Sequence, residues 1–221
     1  MTLLPCVEID PSVETRASVI WMHGLGADGH DFEPVVPWLG LPADAGVRFV
    51  FPHAPAIPVT LNQGMVMPAW YDIVEIDLAR RHDRDGILRS RESVRALIAR
   101  EIGRGVPASS IVLAGFSQGG AVALDVGLRY EESLAGIMAL STYLVLEDEI
   151  AAERSEANVS TSVLQVHGTH DPMVPVVRGA AARDQLTGMG YDVQWQEYPM
   201  QHEVCPDELV LIGQWLQKVL G

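Results

Sequence analysis

The chain has 221 residues, of which 48% are apolar and 20% charged, a composition typical of a globular protein and not of a disordered or fibrous one. Its formal net charge of −14 would repel nucleic acids and anionic membrane surfaces, so we exclude these polyanions as partners. Because the sequence has no internal repeat and no Pro/Gly/Ser-rich linker, it predicts a single domain over residues 1–221.

The cysteine and hydropathy patterns favour a cytoplasmic protein. Cys6 and Cys205 are too few for a disulfide framework, although a bond between them stays open. No apolar run approaches the ~18 residues of a membrane helix, and the first residues lack the pattern of a secretory signal. We therefore expect no integral membrane association. The sequence leaves the oligomeric state open, a dimer included.

Short β-branched, apolar runs alternate with helix-like segments along the chain, which is the pattern of βαβ units. The predicted strands are, in order, a weak one at Cys6–Ile9, then Ala17–His23, Arg48–Phe51, Ile111–Gly115, Gly136–Leu140, Val163–His167 and Val193–Tyr198. Helical spacing of apolar residues predicts helices around Ile87–Ile102, Ala121–Tyr130 and Leu209–Leu216. Most of the strands are almost entirely apolar, which indicates a mostly parallel sheet with helices on both faces.

Two segments depart from this alternation. Pro52–Asp72 contains four prolines and few charges, and we predict a long irregular loop that covers or binds a ligand. An edge hairpin that fills a surface groove is the alternative. Arg80–Arg104 is rich in arginine, but carboxylates are interleaved with the arginines, so we interpret it as a solvent-exposed helix face and not as a binding patch.

The segment Gly115-Phe116-Ser117-Gln118-Gly119 joins a predicted strand to a predicted helix. This is the context of a nucleophile elbow, a sharp turn that projects the serine Oγ while the glycines let strand and helix approach. The pattern alone is weak, because a glycine-rich turn whose serine caps the next helix would look the same. Ser117 is therefore a candidate nucleophile only if its partners follow in the sequence.

A serine nucleophile needs a base within hydrogen-bond reach, and the base needs a carboxylate to orient it. Asp171 follows the strand Val163–His167, and His202 lies between the last predicted strand and the last helix. Each could have a simpler role, Asp171 as a turn or helix cap and His202 as a surface histidine. Their order after Ser117 and their positions at the carboxyl ends of strands favour a catalytic triad instead.

The loop His23-Gly24-Leu25-Gly26 follows an early predicted strand. Acyl transfer needs two backbone N–H donors for the developing oxyanion, one from the residue after the nucleophile, Gln118, and one from such a loop. Leu25 is the candidate for the second donor, and a plain glycine turn is the alternative. The remaining histidines show no zinc-binding spacing, so we expect neither a metal nor another cofactor.

Four segments together resemble the phospholipase/carboxylesterase family of small α/β-hydrolases, to which acyl-protein thioesterases belong. They are His23-Gly24-Leu25-Gly26-Ala27-Asp28-Gly29, Gly115-Phe116-Ser117-Gln118-Gly119-Gly120, His167-Gly168-Thr169-His170-Asp171 and Tyr198-Pro199-Met200-Gln201-His202-Glu203. The likeness runs from about residue 15 to the end of the chain. It implies an α/β-hydrolase fold with Ser117 as the nucleophile, His202 as the base and Asp171 as its orienting carboxylate.

Two departures from the family pattern bear on the shape of the substrate and not on the reaction. Gln201 precedes His202 where the family usually has glycine, and Gln63 and Met65 replace small and aromatic residues. The sheet and helices use nearly the whole chain, so we expect no helical cap of the kind that lipases carry.

These observations predict a carboxylesterase that hydrolyses esters of short to medium acyl chains through an acyl-enzyme. An acyl-protein thioesterase or lysophospholipase is the first alternative, and a binding module with an idle triad is the second. The expected substrate is a small-molecule or lipid-like acyl ester. Residues expected to contact it are Met65, Met67, Trp70, Tyr143 and Met173.

Overall fold

A seven-stranded sheet forms the centre of the computed structural model, which describes residues 3–74 and 82–221. The strands are β1 (Cys6–Ile9), β2 (Ala17–Met22), β3 (Val47–Pro52), β6 (Ile111–Phe116), β7 (Gly136–Leu140), β8 (Ser162–Gly168) and β9 (Val193–Tyr198). Their order across the sheet is β1-β3-β2-β6-β7-β8-β9. Neighbouring strands are parallel except for β1, which runs antiparallel to β3.

Helices cover both faces of the sheet. They are α1 (Arg84–Gly103), α2 (Gln118–Gly127), α3 (Glu147–Glu153), α4 (Val176–Gly188) and α5 (Pro206–Leu220), with a 3₁₀ helix at Glu33–Leu39. Alternate strand residues point to opposite faces, so Ile20 packs with the core of α1, α2 and α4, whereas Val19 packs with α5 and the 3₁₀ helix. This double burial explains the continuous apolar strands.

The architecture confirms the predicted α/β-hydrolase fold. Within the described residues, no separate group of helices caps the carboxyl ends of the strands. None of the helices in this part of the chain is long and apolar enough to cross a membrane. Cys6 and Cys205 are both free thiols.

The prediction of an irregular loop over Pro52–Asp72 was wrong in part, and the hairpin alternative describes the segment better. Strands β4 (Ala56–Val59) and β5 (Met65–Pro68) pair antiparallel, and a 3₁₀ turn at Thr60–Asn62 lies between them. In a two-stranded ribbon a proline can sit where no ladder hydrogen bond is needed. The prolines therefore did not exclude strands here.

The interpretation of Arg80–Arg104 as an exposed helix face also holds only in part. Residues 80 and 81 lie outside the described part of the chain, and α1 begins at Arg84 after a cap in which Asp83 Oδ1 accepts from Gly86 N (3.0 Å). Arg91 makes a bidentate ion pair with buried Asp125 (2.8 and 2.9 Å), and the Glu101 side chain is fully buried. Glu101 of this helix is thus part of the interior, and half-buried Arg91 binds a buried carboxylate of α2.

Candidate active site

Ser117 occupies a strained turn between β6 and α2. Its backbone has φ 54° and ψ −119°, a conformation that non-glycine residues adopt only when the surroundings enforce it. The Ser117 N–H donates to Leu140 O (2.8 Å), and the Thr142 hydroxyl donates to Ser117 O (2.6 Å). A Cβ on Gly119 would overlap the carbonyl oxygens of Met22 and His23. Only glycine therefore lets α2 start this close to β2.

His202 and Asp171 continue a chain of hydrogen bonds from the serine. His202 Nε2 lies 2.9 Å from Ser117 Oγ, and His202 Nδ1 lies 2.7 Å from Asp171 Oδ2. The other carboxylate oxygen, Oδ1, accepts from the N–H groups of Met173 and Val174, both at 2.8 Å. With Nδ1–H donating to the carboxylate, Nε2 is free to accept the serine proton.

His167 is a second histidine behind Asp171, and sequence analysis assigned it no role. It is 1% exposed, its Nε2 lies 2.8 Å from Val174 O, and the same nitrogen is 3.6 Å from Asp171 Oδ2. Burial lowers the pKa of His167, so the ring is neutral near pH 7 and Nε2–H donates to Val174 O. His167 thereby supports the loop that holds Asp171. No sequence pattern indicated this contact, because a four-residue spacing brings side chains together in a helix, whereas His167 lies at the end of β8.

The early loop that contains Leu25 is fixed by contacts from three other segments. Gly26 N donates to Pro68 O in the hairpin (2.8 Å), and the Trp70 indole N–H donates to His23 O (2.9 Å). Ala54 N donates to His23 Nε2 (3.1 Å), while His23 Nδ1 lies 2.7 Å from Gly24 O. Burial lowers the pKa of His23, which keeps the ring in this neutral form.

The two candidate oxyanion donors lie at the same cavity as Ser117. Leu25 and Gln118 both line it. Gln118 is the first residue of α2, so its N–H has no acceptor within the helix and lies at the positive end of the helix dipole. The Gln118 side chain has a role that sequence analysis missed, because Oε1 accepts from Trp70 N (2.8 Å) and Nε2 donates to Tyr71 O (2.7 Å).

The cavity has a volume of about 450 Å³. Its walls are Gly24, Leu25, Ala27, Asp31, Leu61, Ile73, Phe116, Ser117, Gln118, Tyr143, Pro172, Met173, Val174 and His202. Most of these side chains are apolar, and the hydroxyl and imidazole of the hydrogen-bonded chain open into it. Such a site suits a substrate with an apolar chain and one polar reacting group.

Of the five residues expected to contact substrate, the structure brings Tyr143 and Met173 to the cavity and the other three elsewhere. Met65 is 64% exposed on the hairpin, and Met67 lies near Asn62, whose Nδ2 approaches its Sδ at 3.2 Å. Trp70 is 2% exposed and links two segments, because its backbone N–H donates to Gln118 Oε1 and its indole N–H donates to His23 O. Leu61 and Ile73 line the cavity instead, and no motif marked them in the sequence.

Comparison with known proteins identifies the family. The sequence model of the phospholipase/carboxylesterase family matches residues 6–220. The chain belongs to this family. The predicted family resemblance is thus confirmed.

Fungal relatives and plant structures are similar to nearly the whole chain. An acyl-protein thioesterase 1 of Gibberella zeae is 41% identical over 213 residues, which cover 92% of this chain and 91% of the relative. One of Neurospora crassa is 44% identical over 213 residues, covering 92% and 87%. The crystal structure of Arabidopsis thaliana SOBER1 superposes with a TM-score of 0.88 at 32% identity, covering 94% of this chain and all of that one.

Proposed function

We propose that this protein hydrolyses acyl thioesters and esters through a covalent acyl-enzyme on Ser117, and that its principal substrates are thioesters between an acyl group and a protein cysteine. The observation that carries the reaction is the hydrogen-bonded chain of Ser117, His202 and Asp171, with distances of 2.9 and 2.7 Å, at an open apolar cavity. The thioester preference is supported by the fungal relatives at 41% and 44% identity.

This substrate class differs from the sequence-based prediction. The sequence favoured a carboxylesterase acting on oxyesters and kept the thioesterase as the alternative, because nothing in the residues distinguishes an ester from a thioester. The names of the relatives favour the thioester. Oxyester hydrolysis remains the second candidate function, since the family includes carboxylesterases and the same groups serve both reactions.

In the proposed mechanism, His202 Nε2 removes the Ser117 proton as Oγ attacks the acyl carbonyl carbon. The N–H groups of Leu25 and Gln118 stabilise the oxyanion of the tetrahedral intermediate. The C–S bond then breaks, and the departing sulfur takes the proton from His202. Water repeats the same steps and releases the carboxylic acid. These residues supply every proton transfer that the reaction needs, so we propose no cofactor.

The cavity gives the acyl chain an apolar surface to bury. Each methylene is worth about 0.8 kcal/mol, a factor of roughly four in kcat/KM, until the space is filled, and we expect an optimum between roughly four and ten acyl carbons. Leu61, Ile73, Tyr143 and Met173 are the proposed contacts. The hairpin methionines take a smaller part than the sequence suggested.

Replacing the nucleophile tests the proposal. Ser117→Ala should lower kcat by about 10⁴ or more without changing the melting temperature greatly, because the oxyanion donors and the binding surface remain. A fluorophosphonate probe should label the wild type and not the variant, with exposed Ser160→Ala as the labelled control. Residual activity within about tenfold of wild type would remove Ser117 from the mechanism.

A substrate panel decides between the candidate functions. It contains an S-acyl peptide, the matching O-acyl serine peptide, an acyl-CoA, a p-nitrophenyl ester and a lysophospholipid, all with the same acyl chain. We expect the highest kcat/KM on the S-acyl peptide. A higher value on the p-nitrophenyl ester and O-acyl peptide would identify an oxyester carboxylesterase. If the fluorophosphonate probe does not label the protein and no substrate of the panel is hydrolysed, the protein is a binding module and not an enzyme.

A further inference from the structure

Tyr143 is a wall shared by two cavities. One face borders the cavity of about 450 Å³ that contains Ser117 and His202. The same residue borders a second cavity of about 40 Å³, which has room for no more than a few water molecules. Tyr143 is 3% exposed, so its side chain forms a buried part of the wall of the larger cavity.

The Tyr143 ring is held in position through its hydroxyl group. Its hydroxyl oxygen lies 2.8 Å from the hydroxyl oxygen of Tyr71, which is also buried. Tyr71 is held in turn, because its carbonyl accepts from Gln118 Nε2 (2.7 Å). Burial raises the pKa of Tyr143 to about 12, so the hydroxyl pair stays neutral and intact at physiological pH. Displacing the ring would break this hydrogen bond.

The second cavity would be unfavourable for an acyl chain even if Tyr143 moved. Part of its wall is apolar, formed by Leu144, Ala181 and Ala182, but Glu147 and Arg178 form the rest together with Gln185. A chain end packed here would strip water from charged groups without replacing their hydrogen bonds. The hydrogen-bonded Tyr143 ring and the charged wall of the second cavity therefore both disfavour a longer acyl chain.

We propose that Tyr143 determines acyl-chain specificity by closing the interior end of the acyl-binding cavity. This inference rests on the proposed ester or thioester hydrolysis and adds a limit on chain length to it. An acyl chain gains binding free energy from each methylene that it buries, up to the point where it reaches the Tyr143 ring. A further methylene would collide with the ring, so longer chains bind less well unless the ring is removed. The residue acts on binding and not on the proton transfers.

The test is a chain-length series from acetyl to palmitoyl, measured as kcat/KM on p-nitrophenyl and S-acyl substrates and normalised to acetyl within each variant. Tyr143→Ala should move the optimum to longer chains, with the long-to-short ratio rising by about fourfold for each methylene admitted. Tyr143→Trp should move it to shorter chains. Tyr143→Phe, which keeps the ring and loses only the hydroxyl, should keep the wild-type profile.

Two controls separate a loss of the wall from a loss of stability. Tyr191→Ala removes a buried tyrosine that borders neither cavity, and it should lower the melting temperature while leaving the profile unchanged. Exposed Ala181→Leu narrows only the second cavity, so it should be silent alone and should shorten the optimum again in the Tyr143→Ala background.

The outcomes distinguish this inference from the proposed function. If the wild type hydrolyses no member of the series, the proposed function fails. If the wild type is active and folded Tyr143→Ala keeps the wild-type optimum, Tyr143 is not the end wall. Should Tyr143→Ala fail to fold, the opposite shift in Tyr143→Trp and the unchanged profile of Tyr143→Phe still decide the question.

Discussion

A buried carboxylate lies at each end of the parallel strands, and the two have different surroundings. We call the amino ends of these strands the amino edge of the sheet and their carboxyl ends the carboxyl edge. At the amino edge, Glu101 Oε2 accepts from Arg48 (2.9 Å) and from the Ser18 hydroxyl (2.8 Å), and Oε1 accepts from Arg104 (3.1 Å). At the carboxyl edge, Asp171 accepts from two backbone N–H groups and from the imidazole of His202.

This difference decides what each carboxylate can do. Burial opposes ionisation of Glu101, but the hydrogen bonds from Arg48 and Ser18 outweigh it and lower its pKa. Arg48, Arg100 and Arg104 all lie within salt-bridge distance of its two oxygens. Asp171 Oδ2 instead lies 2.7 Å from His202 Nδ1, and the other ring nitrogen lies 2.9 Å from Ser117 Oγ. The first carboxylate is therefore surrounded by arginines, whereas the second is hydrogen-bonded to the group that we propose as the base.

After Ser117→Ala, the largest expected effect at the carboxyl edge is that of Asp171→Asn. An amide at this position favours the wrong imidazole tautomer, so kcat should fall by about 10³ to 10⁴ while the free energy of unfolding changes little. Steady-state kinetics and urea denaturation measure the two quantities. A nearly silent substitution would mean that another carboxylate, such as Glu203 or Asp207, orients His202.

At the amino edge we expect the opposite result, a loss of stability without a loss of activity. Glu101→Ala removes the acceptor of buried Ser18 and leaves Arg48 with only Asp10 and Thr15 as partners, so the free energy of unfolding should fall by about 1 to 3 kcal/mol while kcat/KM of the folded protein stays unchanged. Glu131→Ala is the matched control, because its exposed pair with Arg95 is worth less than about 1 kcal/mol. A drop in kcat/KM with Glu101→Ala would show that the two edges are coupled.

A third buried carboxyl, that of Glu208 in α5, differs from both Glu101 and Asp171. Neither of its oxygens makes a hydrogen bond in the described structure. Burial raises its pKa to about 8, and the nearby Cys205 N–H, which lies outside hydrogen-bonding geometry, offsets this only in part. A raised carboxyl pKa means that the folded state stays protonated where the unfolded state has already ionised. Stability should therefore decline as pH rises from the ordinary value of 4.5 to about 8.

Glu208→Gln should remove this pH dependence. Between pH 6 and pH 8 the wild type should lose about 2 kcal/mol more than the variant, and thermal melts across that range measure it. The amide keeps the shape and the position of the carboxyl near the start of the helix. Equal slopes for the two proteins would mean that Glu208 is ionised and paired in solution.

The smallest expected effect concerns Met65 on the hairpin at the rim of the carboxyl edge. Met65→Ala should change kcat/KM by less than about twofold on every chain length, because the side chain is 64% exposed and borders no part of the cavity. Ile73→Ala is the comparison, since Ile73 lines the cavity and its loss should reduce hydrolysis of longer chains selectively. If Met65→Ala lowers kcat/KM selectively for longer chains, Met65 contacts the acyl chain, as the sequence analysis predicted.

Local sequence patterns were sufficient to predict the strands of the central sheet and the order of the candidate catalytic residues, but not the hairpin strands β4 and β5. The predicted strand Gly136–Leu140 coincides with the observed one, because an uninterrupted apolar run is typical of a strand covered on both faces. Val193–Tyr198 also coincides with the observed strand, because its β-branched and aromatic residues alternate with polar ones, which is typical of a strand with one covered face. The turn around Ser117 was recognisable from its glycines, although each is required for a different reason. A Cβ on Gly115 would meet nearby Gly119, whereas a Cβ on Gly119 would meet the carbonyl oxygens of Met22 and His23 in a distant part of the sequence. Asp171 and His202 followed from their positions after strands.

Contacts between side chains that are far apart in the sequence could not be predicted from local patterns. Glu101 looked like one charge on an exposed helix, yet it meets Ser18, which lies 83 residues earlier. Trp70 looked like a substrate contact, yet it bonds to Gln118 and His23 and never reaches the cavity. Such contacts join segments far apart in the chain, and local periodicity carries no information about them because burial depends on what another segment brings to the same place.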